Sequence, residues 1–221
     1  ATGVPASSTG IQPAWRSPPT ELDGERFAFV TIDRQVRGWG PNPQDRWKFA
    51  GGISQSHAIP WLIRNGDHLA LLIDGTTLLG LDPWTGQRRW AAGLADFPLT
   101  HPAEQTAHSH GLAVAASDTT LRAIDLEDGR TKWEFRTLPP GVSAWNIRSW
   151  QGQFLVTGTT TSPMPTAMLM LCEARTGKPR VALQQPAPGG GEWYIDEAGA
   201  VFASRQAILA WMPLESVGAQ R

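Results

Sequence analysis

Short apolar runs, each closed by polar turn formers, recur along the whole chain. In the first part they read FAFVTI, then DRQ, then VRGWG, then PNPQD before Trp47. The next stretch repeats the grammar as HLALLI, DGTT, LLGLD and PWTGQ before Trp90, and the next as GLAVAA, SDTT, LRAID and LEDGR before Trp133. Runs of this length bounded by Gly, Pro, Asn and Asp predict antiparallel strands joined by tight turns. No stretch holds an apolar period of 3.6 residues between helix caps, so helix is not expected.

Trp47, Trp90 and Trp133 stand 43 residues apart each time, and two segments are nearly the same sentence: LGLDPWTGQRRW at 79–90 and RAIDLEDGRTKW at 122–133. A period of this size marks a repeat architecture in which each unit is one small sheet. A fourth copy is worn. QFLVTG is followed by the insert TTTSPMPT and by AMLMLCEARTGKPRVAL, where Val181 takes the Trp place and Glu173 replaces the recurrent Asp. A fifth is thinner, with AVFAS and AILAWMP. Five units suit an all-β propeller of about five four-stranded blades. The segment IQPAWRS near the start belongs to no unit, and Trp15 within it is expected on an N-terminal strand that closes the last blade. The expected organisation is a mobile arm over 1–10, rich in Pro, Ser, Thr and Gly, and one propeller domain over 11–221.

Within the repeat, Asp82 and Asp125 end a strand where a carboxylate can accept the next backbone amides. Gly86 and Gly129, with Gly177 in the worn copy, are expected to supply a positive φ. Trp47, Trp90 and Trp133 then fall on outer strands as wedges between neighbouring sheets, each contributing about 3 kcal/mol when buried.

The pattern of Asp, two variable residues, Thr-Gly, basic or polar residues and Trp resembles the PQQ-like repeat of the quinoprotein propellers. GLDPWTGQRRW carries it closely; AIDLEDGRTKW has Asp128 in the Thr place; CEARTGKPRV keeps Thr176 and Gly177. The resemblance implies the propeller fold and is shared by enzymes, assembly scaffolds and sensor domains. Quinone enzymes of the family are longer, and many hold their cofactor beneath a disulfide between adjacent cysteines. Here Cys172 is alone, and no calcium-binding Glu, Asn and Asp set matches, so no cofactor is expected. The resemblance then points to the non-catalytic members, some of which scaffold outer-membrane protein assembly.

Composition narrows the partners. The 221 residues carry 19 basic and 20 acidic side chains, a formal charge of -1, with no run of like charge to grip nucleic acid. No apolar run approaches the roughly 20 residues that span a bilayer. The chain opens at Ala1, which favours an exported, periplasmic or membrane-peripheral protein. Eleven Trp stand against one Tyr, so large flat rings carry the packing between layers.

Three local features bear on a site. The segment THPAEQTAHSH offers His101, Glu104, His108 and His110; on a strand His108 and His110 would share a face suited to zinc or copper, and the alternative is a solvated connection between blades. Inner-strand carboxylates for a glycosidase-like pair would be Asp23, Glu104, Glu192 and Asp196, while Asp33, Asp74 and Asp118 recur at turns where capping explains them. Trp61, Trp145, Trp150 and Trp193 are expected either between blades or as stacking contacts for a ligand or partner. Trp84 differs, because its copy in the next unit is Glu127, so it is read as an exposed anchor. Within PAPGGGEWY a loop is expected from Pro186 to Glu192, suited to partner contact, and neither a phosphate-binding loop nor a nucleophile elbow is present. The expected function is a non-enzymatic scaffold or accessory subunit that binds other proteins. The alternatives are a carbohydrate-binding or glycoside-processing propeller and a fragment of a longer quinoprotein-like propeller.

Overall fold

Runs such as HLALLI and GLAVAA are too continuously apolar for a sheet with one wet face, and the computed structural model shows why. It describes residues 19–51, 61–73, 76–94, 106–117, 120–136, 142–160, 165–187, 191–195, 199–204 and 208–213. They form consecutive antiparallel meanders that pack face to face as the blades of a β-propeller. The first blade is β1 (Thr20–Glu21), β2 (Phe27–Val30), β3 (Val36–Trp39) and β4 (Trp47–Lys48). The second is β5 (Trp61–Asn65), β6 (His68–Ile73), β7 (Thr77–Leu81) and β8 (Arg88–Gly93). The third is β9 (Thr106–Ser109), β10 (Leu112–Ser117), β11 (Thr120–Asp125) and β12 (Thr131–Phe135). The fourth is β13 (Val142–Trp150), β14 (Gln153–Thr160), β15 (Thr166–Glu173) and β16 (Pro179–Pro186). The fifth has three strands among the described residues, β17 (Gly191–Ile195), β18 (Gly199–Ser204) and β19 (Ile208–Pro213). The arm expected over 1–10 and the closing strand expected around Trp15 lie outside the described residues.

Because successive strand residues point to opposite faces, an inner strand serves two neighbours at once. On β6, Leu69, Leu71 and Ile73 pack against Ala28, Val30 and Val36 of the first blade. The intervening Ala70 and Leu72 pack against Ala113, Ala115 and Ile124 of the third. On β10, Leu112, Val114 and Ala116 face the other way, against Phe154, Val156, Met168 and Met170 of the fourth blade. Cys172 is fully buried in that last cluster, and desolvation pushes its thiol up to about 12. A disulfide-exchange reagent at pH 8 should therefore leave the folded protein unlabelled and react fully once it is denatured.

The repeated Trp locks each sheet to the next. Trp47 Nε1 donates to Pro83 O at 3.0 Å, Trp90 Nε1 to Leu126 O at 3.2 Å and Trp133 Nε1 to Ala174 O at 2.8 Å. Each acceptor directly follows the strand-ending acid of the next blade. Each ring also lies over a small cross-strand partner of its own blade, Gly38, Gly80 or Ala123. A Cβ on Gly38 or Gly80 would fall 2.1 Å from the indole. The other side of each ring meets the turn glycine of the next blade: Gly86 against Trp47, Gly129 against Trp90 and Gly177 against Trp133. These glycines have φ of +68°, +77° and +68°. Two constraints, left-handed backbone and a ring with no room for Cβ, thus fall on one residue.

A one-residue bulge in the outer pair, between Gly80 and Leu81, Ala123 and Ile124, and Leu171 and Cys172, sets the Trp place opposite those small residues or, in the fourth blade, opposite Leu171. The first blade pairs without it, Gly38 opposite Trp47 and Arg37 opposite Lys48. Its turn is one residue shorter and closes on a 3₁₀ turn, Pro43–Asp45, where Asp45 accepts from Asn42 N at 3.2 Å and Asn42 Nδ2 at 2.9 Å.

Candidate functional site

The turns joining the third and fourth strands of each blade crowd one end of the sheets together with the turns joining the first and second strands. Asp82 accepts from Trp84 N and Thr85 N, both at 2.9 Å, and Asp125 from Glu127 N at 2.9 Å. The second carboxylate oxygen takes a cation seven residues on: Arg89 at 2.6 Å from Asp82, and Lys132 at 3.4 Å from Asp125. Glu173 keeps that partner, Arg180 at 3.2 Å, and accepts from Thr176 Oγ1 at 2.9 Å. Burial pushes the Asp82 carboxyl upward, but the bonds from Arg89, Trp84 and Thr85 outweigh it and hold the group below the usual carboxylate range. The cation was legible in the sequence, standing directly before the Trp place in QRRW, TKW and PRV. These acids are occupied in building the turns.

Trp84 sits on such a turn and is 37% exposed. The Arg26 guanidinium of the first blade lies over its ring, 3.9 Å from the centroid. Arg26 is aimed by Asp23, whose Oδ2 accepts from Nε at 2.8 Å and also from Nη2, and whose Oδ1 accepts from Arg26 N at 3.1 Å. These bonds hold the Asp23 carboxyl below its usual range. On its other side Arg26 approaches Asp45 at 3.8 Å. The next residue, Arg46, lies 6.0 Å from the ring of Trp39, which is 39% exposed at the end of β3. Trp84, Arg26, Asp45, Arg46 and Trp39 thus form a continuous rim across the first two blades, two indoles interleaved with two guanidiniums. Stacking of this kind restrains long side chains before any partner arrives. The sequence marks Trp84 as a departure from its repeat copy and carries an Asp-x-x-Arg spacing at Asp23 and Arg26, but the approach of Arg26 to Trp84 joins residues far apart in the chain.

The other aromatic candidates stand elsewhere. Trp61 is half-buried and packs on the cluster between the second and third blades. Trp193 is half-buried 5.2 Å from the ring of Phe202, and Trp150 is buried beside it between the fourth and fifth blades. The side chain of Trp145 lies outside the described residues.

His108 lies on β9, while His110 lies beyond it in the two-residue reversal with Gly111, at φ of +52° and +74°. The two therefore do not share a strand face, because the chain turns left-handed between them. His110 Nδ1 is 2.8 Å from Ser109 Oγ, and its ring rests on Gly152 of the fourth blade. His108 keeps an exposed edge, yet the surrounding protein desolvates it enough to lower its pKa from the usual imidazole value. His101 and Glu104 lie outside the described residues, among which no three metal-ligating side chains cluster. Of the carboxylate candidates, Asp23 serves Arg26 and Glu192 accepts from Tyr194 OH at 3.2 Å. Glu104 and Asp196 lie outside the described residues, as do Asp74 and Asp118; the Asp33 carboxylate accepts from the Thr31 hydroxyl.

No protein-family model matches the chain, and no curated protein does. Solved structures do. BamB from Moraxella catarrhalis aligns with a TM-score of 0.54 at 18% identity, over 89% of this chain and 61% of that one. The WD40 domain of Toxoplasma gondii coronin aligns at 0.53 and 12% identity, over 83% and 50%. KlHsv2 with loop 6CD replaced by a Gly-Ser linker aligns at 0.56 and 12% identity, over 88% and 63%. The chain spans between half and two thirds of the length of these structures. At such identities the likeness is one of fold, and it makes this chain a β-propeller.

Proposed function

We propose that this chain is a non-enzymatic protein-interaction propeller, an accessory or scaffold subunit of an exported or envelope-associated assembly, and that it holds its partner through the rim of Trp84 and Trp39. The observation that carries the reading is the exposed Trp84 ring with Arg26 fixed upon it. Trp and Arg are the residues most often found to dominate binding energy at interfaces, because they cover area with little entropy left to lose. Here Asp23 and Asp45 have already ordered the arginine. The likeness to BamB and to a WD40 domain supports a rigid propeller frame and leaves the activity to the site. Among the described residues, no helix is long and apolar enough to cross a membrane.

The test begins with mild purification of the native protein and identification of the subunits that stay attached, followed by affinity measurement with the purified partner. Trp84→Ala and Trp39→Ala should each weaken binding by roughly 30-fold, the effect of about 2 kcal/mol. Melting temperature should stay within about 2 °C, since neither ring belongs to a buried cluster. A partner bound equally well by the double variant would overturn the assignment of the rim.

A further inference from the structure

The turn between the third and fourth strands is bonded alike in three consecutive blades. Gly86 N donates to Asp82 O at 2.8 Å, Gly129 N to Asp125 O at 2.9 Å and Gly177 N to Glu173 O at 2.8 Å. The residue two places after the strand-ending acid is Trp84 in the second blade, Glu127 in the third and Arg175 in the fourth. All three side chains are exposed, and each follows a buried residue, Pro83, Leu126 or Ala174. The carbonyl of that buried residue is the one that accepts the indole N–H of the preceding blade: from Trp47 at Pro83, from Trp90 at Leu126 and from Trp133 at Ala174. On the other side of the same peptide bond, Trp84 N and Glu127 N donate to Asp82 and Asp125, both at 2.9 Å. The peptide before Trp84 and before Glu127 is thus held at both polar atoms, and the peptide before Arg175 at its carbonyl. One backbone arrangement presents three different side chains at the same end of three neighbouring sheets.

The charges that build these corners are matched within them. Asp82 pairs with Arg89, Asp125 with Lys132 and Glu173 with Arg180, and Asp128 lies 3.6 Å from Arg130. Among the described residues, Glu127 and Arg175 enter no such pair, although they are of opposite sign and stand on neighbouring corners. Sheets packed face to face stand about 10 Å apart, so one partner can reach all three corners. The three side chains come one from each sheet, in single file, which suits an extended segment better than a broad face.

We propose that Trp84, Glu127 and Arg175 form an ordered recognition arc for an extended segment of a partner protein, which presents in turn an apolar or aromatic side chain, a cation and an anion. The inference rests on the reading of Trp84 as the binding anchor and adds the order of chemistry along the partner. Trp84 supplies the contact area, and the pinned peptides reduce the freedom lost on binding. Glu127 and Arg175 supply direction: an exposed charge adds little affinity, yet a like charge set opposite it repels. Two fixed charges of opposite sign therefore admit one order of charges along the bound segment and reject the other.

The experiment pans a displayed library of random peptides on the immobilised full chain and, in parallel, on a variant with the two charges exchanged, Glu127→Arg with Arg175→Glu. Peptides enriched on the full chain should carry an apolar residue, then Lys or Arg, then Asp or Glu along one chain direction. The exchanged variant should select the two charges in the opposite order. A synthetic peptide from the first set should bind the exchanged variant roughly tenfold more weakly, as two attractive pairs become repulsive. Both side chains are exposed, so the exchange should leave melting temperature unchanged. No enrichment, or the same charge order from both chains, would overturn the proposal. Panning on Trp84→Ala keeps the two assignments apart. Enrichment that vanishes there but never shows a charge order sinks the arc and leaves the Trp84 anchor standing. Ordered charges selected equally well on Trp84→Ala would sink the anchor and keep the order of charges.

Discussion

Trp90→Ala should lower the free energy of unfolding by about 3–5 kcal/mol, the usual range for removing a large packed aromatic. For a chain of this size that corresponds to a fall in melting temperature of roughly 6–20 °C. The loss has two parts. The ring fills the space between Gly80 of its own sheet and Gly129 of the next, and no neighbouring side chain can collapse into a gap lined by two glycines. Its indole N–H also satisfies Leu126 O at 3.2 Å, an acceptor on a residue only 2% exposed. Trp90→Phe separates the two, retaining most of the packing while removing the donor, and should cost about 1–2 kcal/mol. Denaturant unfolding of both variants beside Trp84→Ala measures the series. Should Trp90→Ala prove as mild as Trp84→Ala, the Trp repeat is not what joins the second blade to the third.

Gly129→Ala should cost about 2–5 kcal/mol, large for the addition of one methyl group. A left-handed residue with a Cβ costs roughly 1–2 kcal/mol. Overpacking adds about 1–3 kcal/mol, because the new carbon would lie 2.5 Å from Trp90 Cε3. Gly66→Ala isolates the backbone contribution: φ there is +59°, and nothing lies within 4 Å of the added carbon. Placing Gly129→Ala in a Trp90→Leu background isolates the ring contribution, and the cost should drop towards that of Gly66→Ala as the clash disappears. Equal costs at Gly66 and Gly129 in the wild-type background would mean that backbone conformation alone selects glycine in this turn.

These two residues show how far the sequence could be read. Their spacing and company place both in a repeated corner, where glycine reverses the chain and a ring lies between sheets. Which glycine the ring touches was not legible, because the contact crosses from one repeat to the next. Trp90 meets Gly129, not the Gly86 of its own turn, and Gly86 meets Trp47. The same holds for the rim. Trp84 stood out as the position where a repeated turn departs from its copy, yet Arg26 and Asp45 come from the first blade and were invisible as its neighbours. The histidine pair fell to a local effect: a two-residue reversal at His110 and Gly111 ends the strand before the second histidine can share its face.

Continuous apolar runs, turn residues at a constant interval and the repeated Trp determined by themselves that this chain folds as stacked antiparallel sheets, since a strand apolar on both faces must be covered on both. That much follows from interactions within one repeat, where residues near in sequence are near in space. Tertiary structure alone decided what those sheets present to solvent. The pairing of Arg26 with Trp84, and of Arg46 with Trp39, depends on how neighbouring strands and blades sit against each other. No periodicity encodes such meetings, because the residues that make them are free to vary while the core repeats.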